Sequence, residues 1–131
     1  MGIQRINPDT LHKNPAFTQV ATVTNPTKFV YVGGQNGVDK EGKIVGKDIA
    51  SQSEQAFKNV LAALEAGGAT LNDVIKMTIF MVQGNSLQDA YAAVQKVQPK
   101  DTLPSTVTFA MVAGLAIPDY LIEIEALAVV G

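Results

Sequence analysis

Two predicted helices alternate with strand-like segments in this chain, and this order limits the folds that it can adopt. Ser51 and Glu54 have the spacing of a capping box, which marks the start of a helix. Apolar residues then recur at helical spacing, and Gly67-Gly68 end the segment as C-terminal glycines often do. The predicted apolar face of this first helix consists of Phe57, Val60, Leu61 and Leu64.

A second helix is predicted after a loop at residues 83–85. Ser86 and Asp89 have capping spacing, and Pro99 limits the helix at its C-terminal end. The predicted apolar face of this second helix consists of Leu87, Tyr91, Val94 and Val97.

Segments rich in β-branched and aromatic residues predict strands around both helices. Asn25-Pro26-Thr27 separates the first two strands and is typical of a turn, so these strands are expected to form a hairpin. The resulting order predicts an α+β fold in which a mixed sheet carries both helices on one face. The predicted strands cover residues 17–24, 28–33, 73–82, 106–112 and 120–130.

The sheet face without helices is expected to present Val, Ile, Leu and Met side chains from several strands. A large exposed apolar face is either a liability or an interface. We therefore expect a symmetric oligomer that buries this face. The length of 131 residues suits a single domain, residues 1–131, in each subunit.

The composition excludes several kinds of chemistry. The chain has no cysteine, so thiolate catalysis and cysteine–zinc sites are excluded. Arg5 is the single arginine and His12 the single histidine, so a metal site or a histidine base in the body of the domain is not expected. A net charge of −2 argues against nucleic-acid binding. Without an apolar leading segment or a membrane-spanning stretch, a cytoplasmic protein is expected.

Three short patterns are candidates for a functional site. Glu123 and Glu125 alternate with isoleucines, which places both carboxylates on one strand face. Two neighbouring carboxylates can divide the roles of acid and base in catalysis. The alternative is that they are solvated or paired with a lysine of the neighbouring strand. Residues 33–37, GGQNG, form a turn or allow a ligand to approach the backbone. Residues 103–109, LPSTVTF, are the entry to a strand or the wall of a pocket, with Val107 and Phe109 on one face and the threonines on the other.

Three segments of the chain resemble the Rid family, the YjgF-type imine deaminases that are also called L-PSP endoribonucleases or translation inhibitors. These segments are VYVGGQ, SEQAFKNVLAALEAGGATLNDVIKMTIFM and IEIEALAVV, and the resemblance covers residues 17–130. It implies a chorismate-mutase-like fold and a homotrimer in which the sheets form an inner barrel with the helices outside. It also implies ligand clefts between subunits and no metal or organic cofactor.

The resemblance further implies roles for individual residues. In deaminating members of the family, an arginine in an R-[ST]-x-V motif holds the carboxylate of a 2-imino acid, and a glutamate on the last strand helps to position the attacking water. Here Glu123 matches the glutamate, and Pro104 stands where the arginine is expected. The substrate-binding residues that the resemblance indicates are Phe17, in place of a tyrosine, Gly33, in place of a serine, and Gly34, Gln35, Pro104, Ser105, Thr106 and Val107.

The proline at position 104 changes the expected ligand. A bidentate arginine–carboxylate contact is among the strongest polar contacts in a site, and Pro104 supplies neither charge nor an N–H group. For the homotrimer that the resemblance implies, Pro104 therefore predicts binding of a small neutral or weakly acidic molecule and no ordinary 2-imino-acid deaminase activity.

Three alternatives remain open at the level of the sequence. One is an altered imine or enamine deaminase in which Lys28 or Lys76 of a neighbouring subunit replaces the arginine. Another is a non-enzymatic scaffold or chaperone-like trimer. The low pI and the single histidine argue against the third, a ribonuclease.

Overall fold

The computed structural model describes residues 2–131. Within this range it contains two α-helices, six strands and a 3-10 turn at Leu71–Asp73. Neither helix is long and apolar enough to cross a membrane. In chain order the helices and strands are β1 (Gly2–Ile6), β2 (Val20–Thr24), β3 (Lys28–Gln35), α1 (Ile49–Ala66), β4 (Val74–Val82), α2 (Leu87–Val97), β5 (Thr106–Val112) and β6 (Ile122–Val130).

The main sheet has four strands in the order β3-β6-β4-β5. β4 and β5 are parallel, and α2 forms the crossover between them, whereas the other two pairs are antiparallel. α1 packs on β6 and β3, and α2 packs mainly on α1, so both helices lie on the same side of the sheet. The predicted α+β fold is confirmed.

The predicted hairpin between the first two strands is wrong. β2 pairs with β1, a strand that the sequence patterns did not indicate, and these two form a separate two-stranded sheet. β3 pairs with β6 instead. The backbone N–H and the hydroxyl of Thr27 both donate to the carbonyl oxygen of Val130, at 2.9 and 3.1 Å, and these bonds fix the start of β3 beside the end of β6.

The cap of α1 also differs from the predicted one. The N-cap is Asp48, whose carboxylate accepts a hydrogen bond from the Ser51 N–H at 2.8 Å, so a capping box led by Ser51 is wrong. This bond to the Ser51 backbone lowers the pKa of Asp48. The predicted C-terminal glycines are confirmed, with Gly67 as the C-cap and Gly68 at a φ of 81°. The Ser86 cap of α2 is confirmed by its bond from the Asp89 N–H at 3.2 Å.

The core lies between α1 and the sheet. Phe57, Val60 and Leu64 are buried as predicted, whereas Leu61 is only partly buried. The buried residues of β4 and β6 complete this core: Val74, Met77, Met81, Ile122, Ile124, Ala126 and Ala128, with Val129 also buried.

The predicted apolar face of α2 is only partly correct. The helix buries Ala90 and Ala93, while Leu87 is 49% exposed and Tyr91 is 53% exposed. The small alanines allow α2 to lie close to α1, and Val94 and Val97 are partly buried against the core.

The sheet face without helices, here called the open face, is less apolar than predicted. The strand register places Lys76, Thr78 and Phe80 of β4 beside Leu127, Glu125 and Glu123 of β6. Thr106, Thr108 and Ala110 of β5 lie on the other side of β4, at the same levels. The face therefore combines charged and hydroxyl side chains with a few large apolar ones, of which Phe29 and Tyr31 are 56% and 78% exposed.

Leu64→Ala is expected to lower the free energy of unfolding by about 2–5 kcal/mol, because Leu64 is fully buried between α1 and the sheet. Leu61→Ala is the matched control, since it makes the same truncation on the same helix at a partly buried position, and it should cost less. Urea unfolding followed by circular dichroism measures both values. Equal losses would mean that the buried face of α1 is assigned wrongly.

Candidate functional site

The predicted site residues fall into two groups at opposite edges of the four-stranded sheet. Gly33, Gly34 and Gln35 end β3, whereas Pro104 and Ser105 lead directly into β5. Three inter-strand steps of about 4.8 Å separate β3 from β5, a distance of about 14 Å. A single chain therefore does not bring the two groups together.

Glu123 belongs to the first group and lies directly over Gly34. A Cβ atom at Gly34 would lie 2.7 Å from the carboxyl carbon of Glu123, so the Glu123 side chain can keep this position only while residue 34 is glycine and would have to move otherwise. The Asn36 side chain donates to Oε1 of Glu123 at 3.3 Å and to the carbonyl oxygen of Ile122 at 2.8 Å. Gly34 thus permits a close approach, as one of the two sequence interpretations expected, but the approaching group is a carboxylate of the same chain.

A chain of amide side chains holds Asn36 in place. The Asn59 amide donates to the carbonyl oxygens of Asn36 and Val38, at 3.1 and 2.8 Å. The Gln55 amide donates to Oδ1 of Asn59 at 2.9 Å, one helical turn away on α1. Asn36 lies within the candidate segment GGQNG but was not among the predicted site residues, and Asn59 was not indicated, although Gln55 and Asn59 have the four-residue spacing that places two amides on one helix face.

These amides line a polar cavity of about 710 Å³ beside the end of β3. Its other lining residues include Gly34, Gln35 and Tyr120. No cluster of three or more potential metal-binding side chains occurs within residues 2–131. The lining also contains three charged side chains, Asp39, Lys40 and Glu41, whereas Glu123 is not part of it. The cavity therefore offers amide hydrogen bonds beside two carboxylates and one ammonium group.

The second carboxylate of the predicted pair is placed differently. Glu125 lies on the same strand face as Glu123, as the alternation predicts, and is exposed. It stands opposite Thr78, whereas Glu123 stands opposite Phe80. Only Glu123 contacts Gly34 and Asn36.

The backbone of the second group is tied to the segment before β2. The Thr18 hydroxyl donates to the carbonyl oxygen of Pro104 at 2.7 Å, and the Thr18 N–H donates to that of Ser105 at 2.8 Å. The Thr106 hydroxyl donates to the carbonyl oxygen of Ile75. Pro104 and Thr106 therefore connect segments of the chain, while the Ser105 hydroxyl has no hydrogen-bond partner among residues 2–131.

Phe17, Ser105 and Val107 line a second, apolar cavity of about 620 Å³ between α2 and the sheet. The sequence patterns assigned two of its other lining residues, Leu87 and Tyr91, to the core. A sealed apolar void of this volume would cost about 15 kcal/mol, which equals the whole stability of a typical domain. The cavity is accordingly open to its surroundings.

The resemblance predicts an arginine at position 104, and the single arginine of this chain, Arg5, does not place its guanidinium group there. Nη2 of Arg5 donates to the carbonyl oxygen of Asn72 at 2.7 Å. The side chain of the same Asn72 accepts a bond from the Leu103 N–H at 2.8 Å. Arg5 is thus bound to the turn before β4, near the segment that leads to β5 but not at the predicted position.

Comparisons with known proteins cover most of this chain. The family model of endoribonuclease L-PSP matches residues 11–130. A RutC family protein of Pyrococcus horikoshii is 38% identical over 102 residues, which cover 76% of this chain and 78% of that protein. A 2-iminobutanoate/2-iminopropanoate deaminase of Salmonella typhimurium is 33% identical over 103 residues, which cover 77% and 79% of the two chains. The crystal structure of YyfB, a Rid family protein of unknown function from Yersinia pestis, superposes with a TM-score of 0.86 at 27% identity and covers 99% of this chain and 100% of that one.

Gly34→Ala is expected to move the Glu123 carboxylate away from Asn36 by about 1 Å or more, because the new methyl group would occupy its place. Gly33→Ala is the matched control, since a Cβ atom at Gly33 meets nothing within 4 Å. Crystal structures of both variants measure the displacement. An unmoved carboxylate in Gly34→Ala would contradict the close packing described above.

Proposed function

Because this chain belongs to the endoribonuclease L-PSP family, also called the Rid family, we propose that it forms a homotrimer with a ligand cleft between subunits. The observation that carries this proposal is the separation of the two site groups within one chain. A second copy can place its β5 entrance beside the Gly34 and Glu123 of the first copy. Three such contacts close a ring around the open faces of the sheets.

The open face supplies contact area for this assembly. Phe29 and Tyr31 of β3 are largely exposed, and Phe80 and Leu127 lie on the same face. Burial of such side chains stabilises an interface, and aromatic residues are enriched in interfaces. The open face also carries charged and hydroxyl side chains, and these can form polar contacts between subunits inside the proposed barrel.

The proposed trimer is tested by sedimentation equilibrium at micromolar concentration. The expected mass is about three times the chain mass of 13.8 kDa. Tyr31→Asp is expected to dissociate the assembly, because it introduces a charge on the open face. Tyr91→Asp is the matched control, since Tyr91 is also exposed but lies on α2. A monomeric wild type, or equal effects of the two substitutions, would contradict the proposed interface.

In the proposed cleft, the preferred ligand is a neutral small molecule. A substrate carboxylate would meet Pro104, which has neither a charge nor an N–H group, and would lie near the carboxylate of Glu123. The Salmonella relative is named as a deaminase of two imino acids. For this chain we infer that ordinary 2-imino-acid deamination is absent.

An altered deaminase is the second candidate function, and one observation favours a specific lysine for it. The ammonium group of Lys76 donates to the Thr108 hydroxyl on the open face, and Lys76 lies beside Thr106 at the start of β5. Lys28 instead places its ammonium group next to Gly68, after the end of α1. Lys76 is therefore the better substitute for the arginine, with Glu123 as the residue that positions water.

The absence of ordinary deamination is tested with 2-iminopropanoate and 2-iminobutanoate generated in the cuvette by an amino-acid oxidase or dehydratase. Keto-acid release with the wild-type protein is expected to equal the protein-free rate, whereas the Salmonella relative accelerates it as the positive control. Pro104→Arg is expected to introduce binding of a carboxylate competitor, because it restores a guanidinium group.

The same assay separates the candidate functions. Acceleration by wild type that Lys76→Ala abolishes would support the altered deaminase and contradict the inference of no deamination. Acceleration that Lys76→Ala leaves unchanged would contradict both. A thermal-shift screen with neutral amides and enamines then distinguishes ligand binding from a scaffold role, because a ligand of the native state raises the unfolding midpoint.

A further inference from the structure

The apolar cavity between α2 and the sheet is built from a single chain. One wall consists of Leu87, Tyr91 and Val94 of α2, and the facing wall consists of Ile79, Val107 and Phe109 of β4 and β5. Its volume of about 620 Å³ lies within the range of small-molecule sites in proteins. The proposed intersubunit cleft shares Phe17, Ser105 and Val107 with this lining but also needs Gly34 and Glu123 of a second chain.

The packing of α2 explains why this space is not filled by the core. α2 contacts α1 through Ala90 and Ala93, which are 5% and 3% exposed. The larger side chains of α2 point towards the sheet without reaching the density of a core, so Tyr91 remains 53% exposed. The cavity thus forms because α2 contacts α1 with its alanine face, which leaves space between the helix and the sheet.

The lining of the cavity restricts the charge of a ligand. None of its lining residues is Asp, Glu, Lys, Arg or His. A charged ligand would lose its hydration without gaining an ionic partner, which is strongly unfavourable. The cavity therefore discriminates against carboxylates and amines.

The polar groups of the lining lie mostly at one end. α2 runs antiparallel to β5, because it is the crossover between parallel β4 and β5, so Gln98 at its C-terminal end lies near Thr102 and Ser105 at the entrance to β5. The Thr102 hydroxyl donates to the carbonyl oxygen of Pro99, whereas the Ser105 hydroxyl has no partner among the described residues 2–131. A ligand hydrogen bond is available at this end, and the remainder of the lining is apolar except for Gln88 and the Tyr91 hydroxyl.

We propose that this cavity binds a neutral small molecule that has an aromatic or branched aliphatic body and one hydrogen-bonding group directed towards Ser105. Its lining shares Phe17, Ser105 and Val107 with the residues assigned to the proposed cleft, so the two sites adjoin at the β5 entrance. The rest of the lining lies between α2 and the sheet, and binding there does not require the cleft to be catalytically active.

The test uses the neutral fluorescent probe N-phenyl-1-naphthylamine, whose emission increases in apolar surroundings. The wild-type protein is expected to bind it saturably with one site per chain. The anionic probe 1-anilinonaphthalene-8-sulfonate has the same aromatic body with an added sulfonate, so it should bind at least about tenfold more weakly. Absence of saturable binding of the neutral probe, or tighter binding of the anionic one, would overturn the proposal.

Two substitutions that fill the cavity locate the binding site. Val107→Phe is expected to weaken binding of the neutral probe at least tenfold, and Val45→Phe is the matched control, because Val45 is exposed and does not line the cavity. Leu87→Trp fills the cavity from the α2 side at an exposed position and replaces Val107→Phe if that variant does not fold. Equal probe binding by the filled and control variants would contradict this location.

The same variants distinguish a small ligand from a second copy of the chain. Sedimentation equilibrium of the folded filled variant is expected to give the wild-type mass. A change in mass that Val45→Phe does not produce would show that the cavity receives a segment of a neighbouring chain, and the ligand proposal would be wrong.

Discussion

The register of β6 determines where every candidate residue of the open face lies. β6 is hydrogen-bonded to β3 on one side and to β4 on the other, so it cannot shift without breaking both ladders. Its residues Ile122, Ile124 and Ala126 enter the core, which places Glu123 on the opposite face next to Gly34. A slip by one residue would put that carboxylate into the apolar core, where burial of an unpaired charge is very costly. The alternation of side chains along β6 therefore determines both the core packing and the position of Glu123.

Buried amides join this sheet to the loops around it. Gln52 is fully buried in the first part of α1, and its side chain bonds to the carbonyl oxygens of Gly46 and Asp119 and to the Leu121 N–H. These three bonds satisfy its hydrogen-bonding groups, so its burial is compensated. They also fix the segment that enters β6 relative to the segment that enters α1. A separate set of amides on the same helix orients the polar side of the candidate site: Gln55 bonds to Asn59, Asn59 bonds to the backbone of Asn36, and Asn36 bonds to Glu123.

Local sequence signals predicted the helices and most strands. The errors concern contacts between segments that are distant in sequence, namely the partner of β2 and the face of α2 that contacts α1. The C-terminal glycines located the end of α1 and the capping spacing of Ser86 located the start of α2, because these signals act within one turn. The partner of β2 could not be read in the same way, since Asn25-Pro26-Thr27 indicates a turn but not which strand lies beside it. Helical periodicity likewise gives an apolar stripe without stating whether α2 turns Ala90 or Tyr91 towards α1. The predicted site residues separate into two groups because the strand order β3-β6-β4-β5 is not the sequence order.

Glu123 and Pro104 together determine the ligand expected in the proposed cleft. Glu123 is held by an amide donor and offers acceptor oxygens, while the β5 entrance at Pro104 offers no positive charge. Two unit negative charges about 4 Å apart repel by about 4 kcal/mol at an effective dielectric constant of 20, so a carboxylate is disfavoured beside Glu123. A neutral molecule with an N–H or O–H group gains a charge-assisted hydrogen bond at the same place. In the proposed cleft, a neutral hydrogen-bond donor is therefore expected to bind in preference to an anion, with Glu123 as the acceptor.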